Sequence, residues 1–190
     1  MTGARRLSQA IAEGDGISVL VEIADGDGAG TAQQQGAEGL VLRRRTEGVR
    51  ESSHLPLLAF GHGHEVGDVD ALVVDVTEHG DAIGEVIDAA HARGLECVIR
   101  VRDEDELEEV LELVDPEILL LSAEEAEDGQ DHLERLLELL PDIPAGKLAI
   151  AELSGASRAD VLELERAGVD AVIVSGSDVE SLVGDTVPEV

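Results

Sequence analysis

The chain has almost no aromatic residues and almost no lysine. It contains no Trp or Tyr, Phe60 is its single Phe, and Lys147 is its single Lys among 13 basic residues. Proteins that hold single-stranded nucleic acid stack the bases on several aromatic side chains, and duplex binding needs a basic surface that neutralises phosphates. The one dense basic stretch here is Arg43, Arg44 and Arg45. We therefore expect no nucleic-acid partner.

Cysteine and long apolar runs are also scarce. Cys97 is the only cysteine and lies in the apolar run ECVIRV, so we expect a buried, unreactive thiol and no disulfide within the chain. No apolar run approaches the roughly 18 residues of a membrane span. The first residues carry two arginines without the apolar core of a signal peptide. The sequence predicts a cytoplasmic protein with no membrane contact.

Negative charge greatly exceeds positive charge. Asp and Glu number 43 against 13 Lys and Arg, which gives a formal charge of -30 over 190 residues. Such a charge opposes compaction unless salt screens it. The composition therefore predicts a protein of an extremely halophilic organism. A solvated acidic surface is favoured over an acidic tail that recognises a partner.

The chain does contain eight short apolar runs that alternate mostly with helical patterns. These runs are VLVEIA, GLVLRR, LPLLAF, ALVVDV, CVIRVR, ILLLSA, LAIAEL and AVIVSG. Strands of a parallel sheet that is buried on both faces have this composition. Eight of them predict an α/β fold, a compact (β/α)8 or TIM barrel that forms a single domain over residues 1–190. Polar residues that close the strands then lie at the functional end of the barrel.

The predicted strands are Ser18–Ala24, Gly39–Arg43, Leu55–Phe60, Ala71–Val76, Cys97–Val101, Ile118–Leu121, Leu148–Glu152 and Ala171–Val174. The predicted helices are Arg5–Glu13, Thr31–Ala37, Asp81–Ala92, Asp103–Val114, Asp131–Leu140, Ser157–Ala167 and a short one that begins at Ser177. The stretch DGDGAG is predicted as a loop, and Pro141 as a helix stop. Asp103 is a candidate cap, and Ser157 with Asp160 and Ser177 with Glu180 match the capping-box pattern.

The chain is short for this fold, which usually has about 250 residues and about 200 at the lower end. The second and third strands are followed by too few residues for full crossover helices, so we expect reduced helices there. Outer faces left bare at that flank predict a homodimer contact. An open or incomplete barrel is the structural alternative.

From the fourth strand onward, the sequence resembles indole-3-glycerol phosphate synthase. The resemblance is carried by GLECVIRVRDEDELEEVLELVDPEILLLSAEE and LAIAELSGASRADVLELERAGVDAVIVSGSDV. It implies a TIM barrel with the ancestry of a carbon–carbon lyase of tryptophan biosynthesis. It also implies no cofactor and an anionic, phosphorylated small molecule as ligand.

The resemblance assigns a role to several strand ends. The family motif AEIK stands here as VEIA, which keeps Glu22 and replaces the lysine with Ala24. Strand seven keeps Glu152, so Glu22 and Glu152 are the predicted catalytic residues. The family's catalytic lysine of strand three falls at or beside Phe60, and its glutamate of strand five is Arg100. The predicted ligand-binding residues are Arg100, Ser122, Ser154, Gly155, Ser175, Gly176 and Ser177.

Two functions stay open after this comparison of motifs. Ring closure divides acid and base roles between a lysine and a glutamate, and an arginine such as Arg100 cannot replace a glutamate in proton transfer. The first function is therefore a family enzyme that is impaired in the family reaction, with altered chemistry at Glu22 and Glu152. The second is a non-catalytic paralogue that binds an anionic metabolite or a protein partner. Glu22, Arg100 and Glu152 are expected to converge, as a ligand site or as a buried ion network.

Two further groups of residues have alternative interpretations. Arg43, Arg44 and Arg45 could reach an anion at the strand ends, but a solvated basic run is favoured. His62 and His64 have a spacing that could chelate a metal with His79 or Asp75. No cysteine or second firm histidine pair supports them, so we predict no metal site.

Overall fold

Eight parallel strands close into a barrel in sequence order, with the last strand paired to the first. The computed structural model describes residues 6–14, 16–61, 67–122, 131–175 and 179–182. The strands are β1 Ser18–Glu22, β2 Gly39–Leu42, β3 Leu57–Ala59, β4 Ala71–Asp75, β5 Glu96–Val101, β6 Ile118–Ser122, β7 Leu148–Glu152 and β8 Ala171–Val174. The predicted TIM barrel is confirmed, and the open-barrel alternative is wrong.

Helices follow most of the strands. They are α1 Leu7–Ala12, α2 Gly26–Gln34, α3 Val49–Ser52, α4 Val76–His79, α5 Ile83–Ala92, α6 Glu104–Leu113, α7 His132–Leu139, α8 Arg158–Ala167 and α9 Val179–Leu182. The cap at Asp103 is confirmed, because its side chain accepts from the Glu106 N–H at 2.9 Å. The Ser157 and Asp160 capping box is confirmed as well. Ser177 lies outside the described residues.

The glycine-rich stretch after β1 is a helix rather than the predicted loop. Helix α2 begins at Gly26, where the Asp25 carboxylate accepts from the Gly28 N–H at 2.7 Å and caps the first turn. A Cβ atom at Gly26 would lie 2.9 Å from the Gly48 carbonyl oxygen. Glycine at this position therefore lets α2 lie close to the chain that enters α3. The prediction was wrong because Gly26 serves close packing instead of loop flexibility.

One helix was not predicted, and one predicted helix stop is confirmed. Helix α4 was not predicted; it begins directly after β4 because the Asp75 carboxylate accepts from the Thr77 N–H at 3.1 Å. Helix α7 ends at Leu139, as the stop at Pro141 predicts, and a 3-10 turn over Leu140–Asp142 follows it. Proline is tolerated at the first positions of such a turn, because the N–H that it lacks would have no acceptor within the turn.

The short connections lie where the sequence predicts them. Only the four-residue α3 lies between β2 and β3. Between β3 and β4, residues 60–61 and 67–70, which the structure describes, contain no helix. Large apolar side chains that are exposed in the described ranges include Leu113 on α6 and Leu162 on α8, away from that flank. The homodimer contact stays a prediction.

Side chains inside the barrel form a packed apolar layer. Its members are Leu20, Val41, Leu58, Val73, Val98, Leu120, Ile150 and Ile173, and all are buried. Helix α1 closes the N-terminal end, since Leu7 and Ile11 belong to the same cluster. The Ser8 N–H and hydroxyl both donate to the buried Glu96 carboxylate. The C-terminal ends of the strands are thus the end of the barrel that can receive a ligand.

Candidate functional site

The strand ends carry a second inward-facing layer, which is polar apart from one aromatic ring. Each member lies two residues after a member of the apolar layer, so strand alternation directs it to the same side. The layer consists of Glu22, Arg43, Phe60, Asp75, Arg100, Ser122 and Glu152, from β1 to β7 in order. We call these seven residues the mouth layer.

Arg43 forms ion pairs with both Glu22 and Glu152, the two predicted catalytic residues. Its Nε atom lies 3.3 Å from Glu22 Oε2, and its Nη2 atom donates to Glu152 Oε1 on the other side of the mouth. Its Cζ atom lies 3.8 Å from the centroid of the Phe60 ring, a cation–π contact. The Arg43 side chain is 29% exposed, whereas that of Glu152 is 4% exposed. A buried carboxylate is thus paired with a guanidinium that contacts solvent.

Arg100 binds the opposite side of the same carboxylate. Its Nη2 atom donates to Ser122 Oγ at 2.8 Å and lies 3.7 Å from Glu152 Oε2. Its Nη1 atom lies 3.9 Å from Asp75 Oδ2. The predicted convergence of Glu22, Arg100 and Glu152 is therefore present. Their catalytic and ligand-binding roles stay predictions.

Asp75 and Arg102 extend this network to the rim of the barrel. Arg102 follows β5; its guanidinium donates to both Asp75 oxygens and to Glu106 Oε1 at 3.1 Å. Burial alone would raise the pKa of Asp75, but hydrogen bonds from Arg102 and Thr77 and the Arg102 charge hold it below its ordinary value. The hydrogen bond to Asp75 raises the pKa of Arg102 above its ordinary value. Both groups therefore stay charged at neutral pH.

Each charged group of the mouth layer lies beside a group of opposite charge. Burial alone would lower the pKa of Arg43, but the hydrogen bonds and charges of Glu152 and Glu22 outweigh it and raise that pKa. Charges alternate along the series Glu22, Arg43, Glu152, Arg100, Asp75, Arg102 and Glu106. Glu152 Oε2 is buried and accepts no hydrogen bond from the described residues. The layer is thus an ion network in which Glu152 Oε2 can still accept a hydrogen bond from a ligand.

The predicted phosphate-binding residues that the structure describes lie at the ends of the neighbouring strands β6, β7 and β8. Ser122 belongs to the mouth layer, whereas Ser154 and Gly155 form an exposed turn after β7, where Gly155 takes a positive φ of 71°. Ser175 is exposed at the end of β8, and Gly176 and Ser177 lie outside the described residues. Phosphate binding by these residues stays a prediction.

The N-terminus of α8 is already occupied by a carboxylate of this chain. Asp160 accepts from the Ser157 hydroxyl at 2.7 Å and from the Ser157 N–H at 2.8 Å, and these two bonds hold its pKa below the ordinary value. An anion at a helix N-terminus would meet this negative charge. The turn after β7 is therefore a poor anion site by itself.

The sequence interpretation missed the role of Arg43. It favoured a solvated run, and Arg44 and Arg45 are exposed as that interpretation requires. Arg43 instead faces inward, because β2 ends at Leu42 and the alternation that buries Val41 continues for one more residue. The same two-residue spacing from Val73 would have placed Asp75 in the mouth.

The remaining candidate groups gain no support from the structure. His62 and His64 lie outside the described residues, and within the described part no group of three His, Cys, Asp or Glu side chains could hold a metal ion. In those same ranges, no helix is long and apolar enough to cross a bilayer.

A cleft of about 490 Å³ lies near the N-terminal ends of β5 and β6, away from the mouth. Cys97 lines it and is buried, as predicted; burial and the Glu96 charge raise the pKa of its thiol to about 11. The thiol is therefore protonated and unreactive at neutral pH. Because ligand sites of this fold lie at the C-terminal ends of the strands, we assign the candidate site to the mouth layer.

Comparison with known proteins connects this chain to one enzyme family over part of its length. The chain is 28% identical over 111 residues to indole-3-glycerol phosphate synthase from Geobacillus sp.. This alignment covers 56% of this chain and 43% of that protein. It is 33% identical over 92 residues to the same enzyme from Pelodictyon phaeoclathratiforme, covering 48% and 36%. No family model matches the chain. The chain thus spans about two fifths of the length of these curated relatives and has partial homology to them.

Solved structures share the fold at low sequence identity. The N-acetylmannosamine-6-phosphate 2-epimerase from Clostridium perfringens aligns with a TM-score of 0.67 at 16% identity, covering 86% of this chain and 88% of that one. A 3-hexulose-6-phosphate synthase aligns with a TM-score of 0.62 at 14% identity, covering 88% and 95%. Both likenesses agree with the closed barrel described above.

Proposed function

We propose that the mouth layer binds a small anionic, phosphorylated metabolite, and that the chain is impaired in the ring-closure reaction of indole-3-glycerol phosphate synthase. One observation carries this proposal: both retained glutamates are ion-paired with Arg43, and Arg100 stands where the family has a glutamate. The acid and base roles of the family reaction have lost their residues, while three guanidiniums remain at the mouth.

The chemistry of the replaced positions supports the loss of turnover. Phe60 has no proton to donate, and Arg100 does not release one at working pH. Glu22 and Glu152 are each ion-paired with Arg43 instead of lying beside a lysine. Loss of one general acid or base slows a reaction by about 10² to 10⁴. With two positions replaced, we expect ring closure to be slower than in a typical family member by at least ~10⁴.

The same residues support anion binding. Planar guanidiniums form paired hydrogen bonds with phosphate and carboxylate groups, and Arg43 is partly exposed to solvent. The structural neighbours include two proteins whose names refer to 6-phosphate sugars. We therefore favour a phosphorylated ligand over a protein partner.

One observation favours altered chemistry as the second candidate function. Glu152 Oε2 is buried and accepts no hydrogen bond from the described residues, so a ligand hydroxyl or amine could donate to it. In that case the chain is a carbon–carbon lyase of indole-3-glycerol phosphate synthase type that acts through Glu22 and Glu152 instead of a lysine.

Binding and turnover measured side by side separate these functions. Carboxyphenylamino-deoxyribulose phosphate is titrated into the protein by calorimetry at molar salt, and the same sample is assayed for indole-glycerol phosphate. We expect binding without turnover, weakened about tenfold or more in Arg100→Ala because a charged hydrogen bond is lost. Arg44→Ala is the matched control, since Arg44 is exposed outside the mouth layer. Turnover at family rates, or no binding, would refute the proposal.

A further inference from the structure

Arg43 covers the buried end of the proposed binding site. Its guanidinium binds Glu22 on the neighbouring strand and Glu152 across the mouth, and it lies on the ring of Phe60. The side chain of Glu152 is 4% exposed beneath this partner, which is 29% exposed. A ligand that reaches Glu152 from solvent must therefore meet Arg43 first.

Arg43 can leave this position without stranding a buried charge. Glu152 has a second guanidinium partner, because Arg100 Nη2 lies 3.7 Å from its Oε2 atom. Phe60 also keeps a cation nearby, since Arg100 Cζ lies 5.9 Å from its ring centroid. Glu22 is 31% exposed and can be solvated by water. Removal of Arg43 thus leaves Glu152 beside Arg100, Phe60 near a second cation and Glu22 hydrated, which avoids the large cost of an unpaired buried ion.

The other two arginines of the mouth are held more firmly. Arg100 and Arg102 are each 12% exposed. Arg100 binds Ser122 and contacts two carboxylates. Arg102 binds Asp75 and Glu106 with its side chain, and its backbone N–H donates to Glu106 as well. Of these three guanidiniums, Arg43 is the one whose position can change at modest cost.

We infer that Arg43 acts as a latch over the mouth. Its guanidinium moves away from Glu152 and binds the anionic group of an incoming ligand. This inference rests on the proposed anion site. Arg43 donates one hydrogen bond to Glu22 and one to Glu152, and a phosphate can accept two hydrogen bonds from one guanidinium, so the ligand itself opens the latch. A neutral polyol offers no such exchange and leaves the latch closed. Arg43 therefore makes the mouth specific for anionic ligands.

The composition of the chain supplies a direct probe of the latch. Phe60 is the only Phe, Tyr or Trp, so its ring current marks the resonances of the guanidinium stacked on it. In a protein with isotopically labelled arginine, the Arg43 side-chain signal is assigned by its absence in Arg43→Ala. The Phe60→Leu variant gives the chemical shift of an unstacked Arg43.

The experiment titrates inorganic phosphate against chloride at equal ionic strength and records phosphorus and arginine spectra of one sample. We expect phosphate to bind and to move the Arg43 signal more than half of the way to the value in Phe60→Leu. Arg43→Ala should bind phosphate about tenfold more weakly or worse. The control Arg44→Ala should bind phosphate as the unmodified protein does.

The outcomes separate the latch from the binding site. Phosphate binding with an unmoved Arg43 signal, or with unchanged affinity in Arg43→Ala, overturns the latch and leaves the anion site standing. Binding that is lost equally in Arg44→Ala shows a non-specific basic surface, and also overturns the latch. Absence of phosphate binding overturns the latch and contradicts the proposed function as well.

Discussion

Replacement of Arg100 by glutamate would introduce the residue type that the resemblance to indole-3-glycerol phosphate synthase predicts at this position, and we expect it to destabilise the fold. In this chain Arg100 lies 3.9 Å from Asp75 and 3.7 Å from Glu152. A glutamate would place a third carboxylate between two others. At about 4 Å and an effective dielectric constant of about 20, each pair of unit charges interacts by about 4 kcal/mol, which bounds each lost attraction from above.

A neutral replacement should cost much less. In Arg100→Met, Glu152 keeps Arg43 and Asp75 keeps Arg102, so no buried carboxylate loses its last partner. The main loss is the hydrogen bond to the buried Ser122, about 1 to 3 kcal/mol. We expect Arg100→Glu to cost at least ~3 kcal/mol more than Arg100→Met. For a chain of this length, that difference lowers the melting midpoint by roughly 6 to 12 °C.

Urea unfolding of both variants at one salt concentration measures the difference. Equal free energies of unfolding for Arg100→Glu and Arg100→Met would refute the reasoning, because the charge at this position would then be irrelevant. A more stable Arg100→Glu would show that the mouth network is not formed as described.

Three further predictions concern charge and capping. Lowering salt from molar to ~0.1 M lengthens the screening distance to roughly 10 Å, so repulsion within a chain of formal net charge -30 should lower the melting midpoint. An unchanged or higher midpoint at low salt would contradict the halophilic interpretation. Because the folded pKa of Asp75 lies below its ordinary value, its ionised form stabilises the fold above about pH 4, and this stabilisation is lost as pH falls through the folded pKa. The gap in unfolding free energy between the unmodified protein and Asp75→Asn should therefore shrink in acid, and a constant gap would exclude the ion pair as its cause. Ser157→Ala should cost about 1 kcal/mol in urea unfolding by removing the cap of α8, whereas Ser154→Ala in the exposed turn nearby should cost less than half of that.

The barrel itself could be predicted from the sequence, because short runs of Val, Ile, Leu and Ala are what buried parallel strands require. Strands β7 and β8 have the predicted bounds, and the other strands differ by two residues or fewer at each end. The first turns of α2, which precede the predicted helix at Thr31, could not be predicted in this way. Their glycines suit a loop as well as a helix, and only the approach of the Gly48 backbone distinguishes the two.

The candidate site was predicted in part. Strand alternation and motif comparison placed Glu22, Arg100 and Glu152 at one end of the barrel, and the structure brings them together there. Motif comparison gave no role to Arg43, because the motifs that carry the resemblance assign no residue on strand two. The run Arg43–Arg45 also suggests a solvated surface, and this is correct for Arg44 and Arg45.

By itself, the sequence determined the number of strands and the approximate bounds of each one, and strand alternation directed Glu22, Arg100 and Glu152 to the inner side of the barrel. These predictions follow from local periodicity, which needs only neighbours along the chain. The tertiary structure alone decided which charges pair. Arg43 and Glu152 are 109 positions apart, and they meet because closure of the barrel brings β2 and β7 around a common axis. Pairing across that axis depends on the diameter of the barrel and the stagger of its strands, which no local pattern encodes.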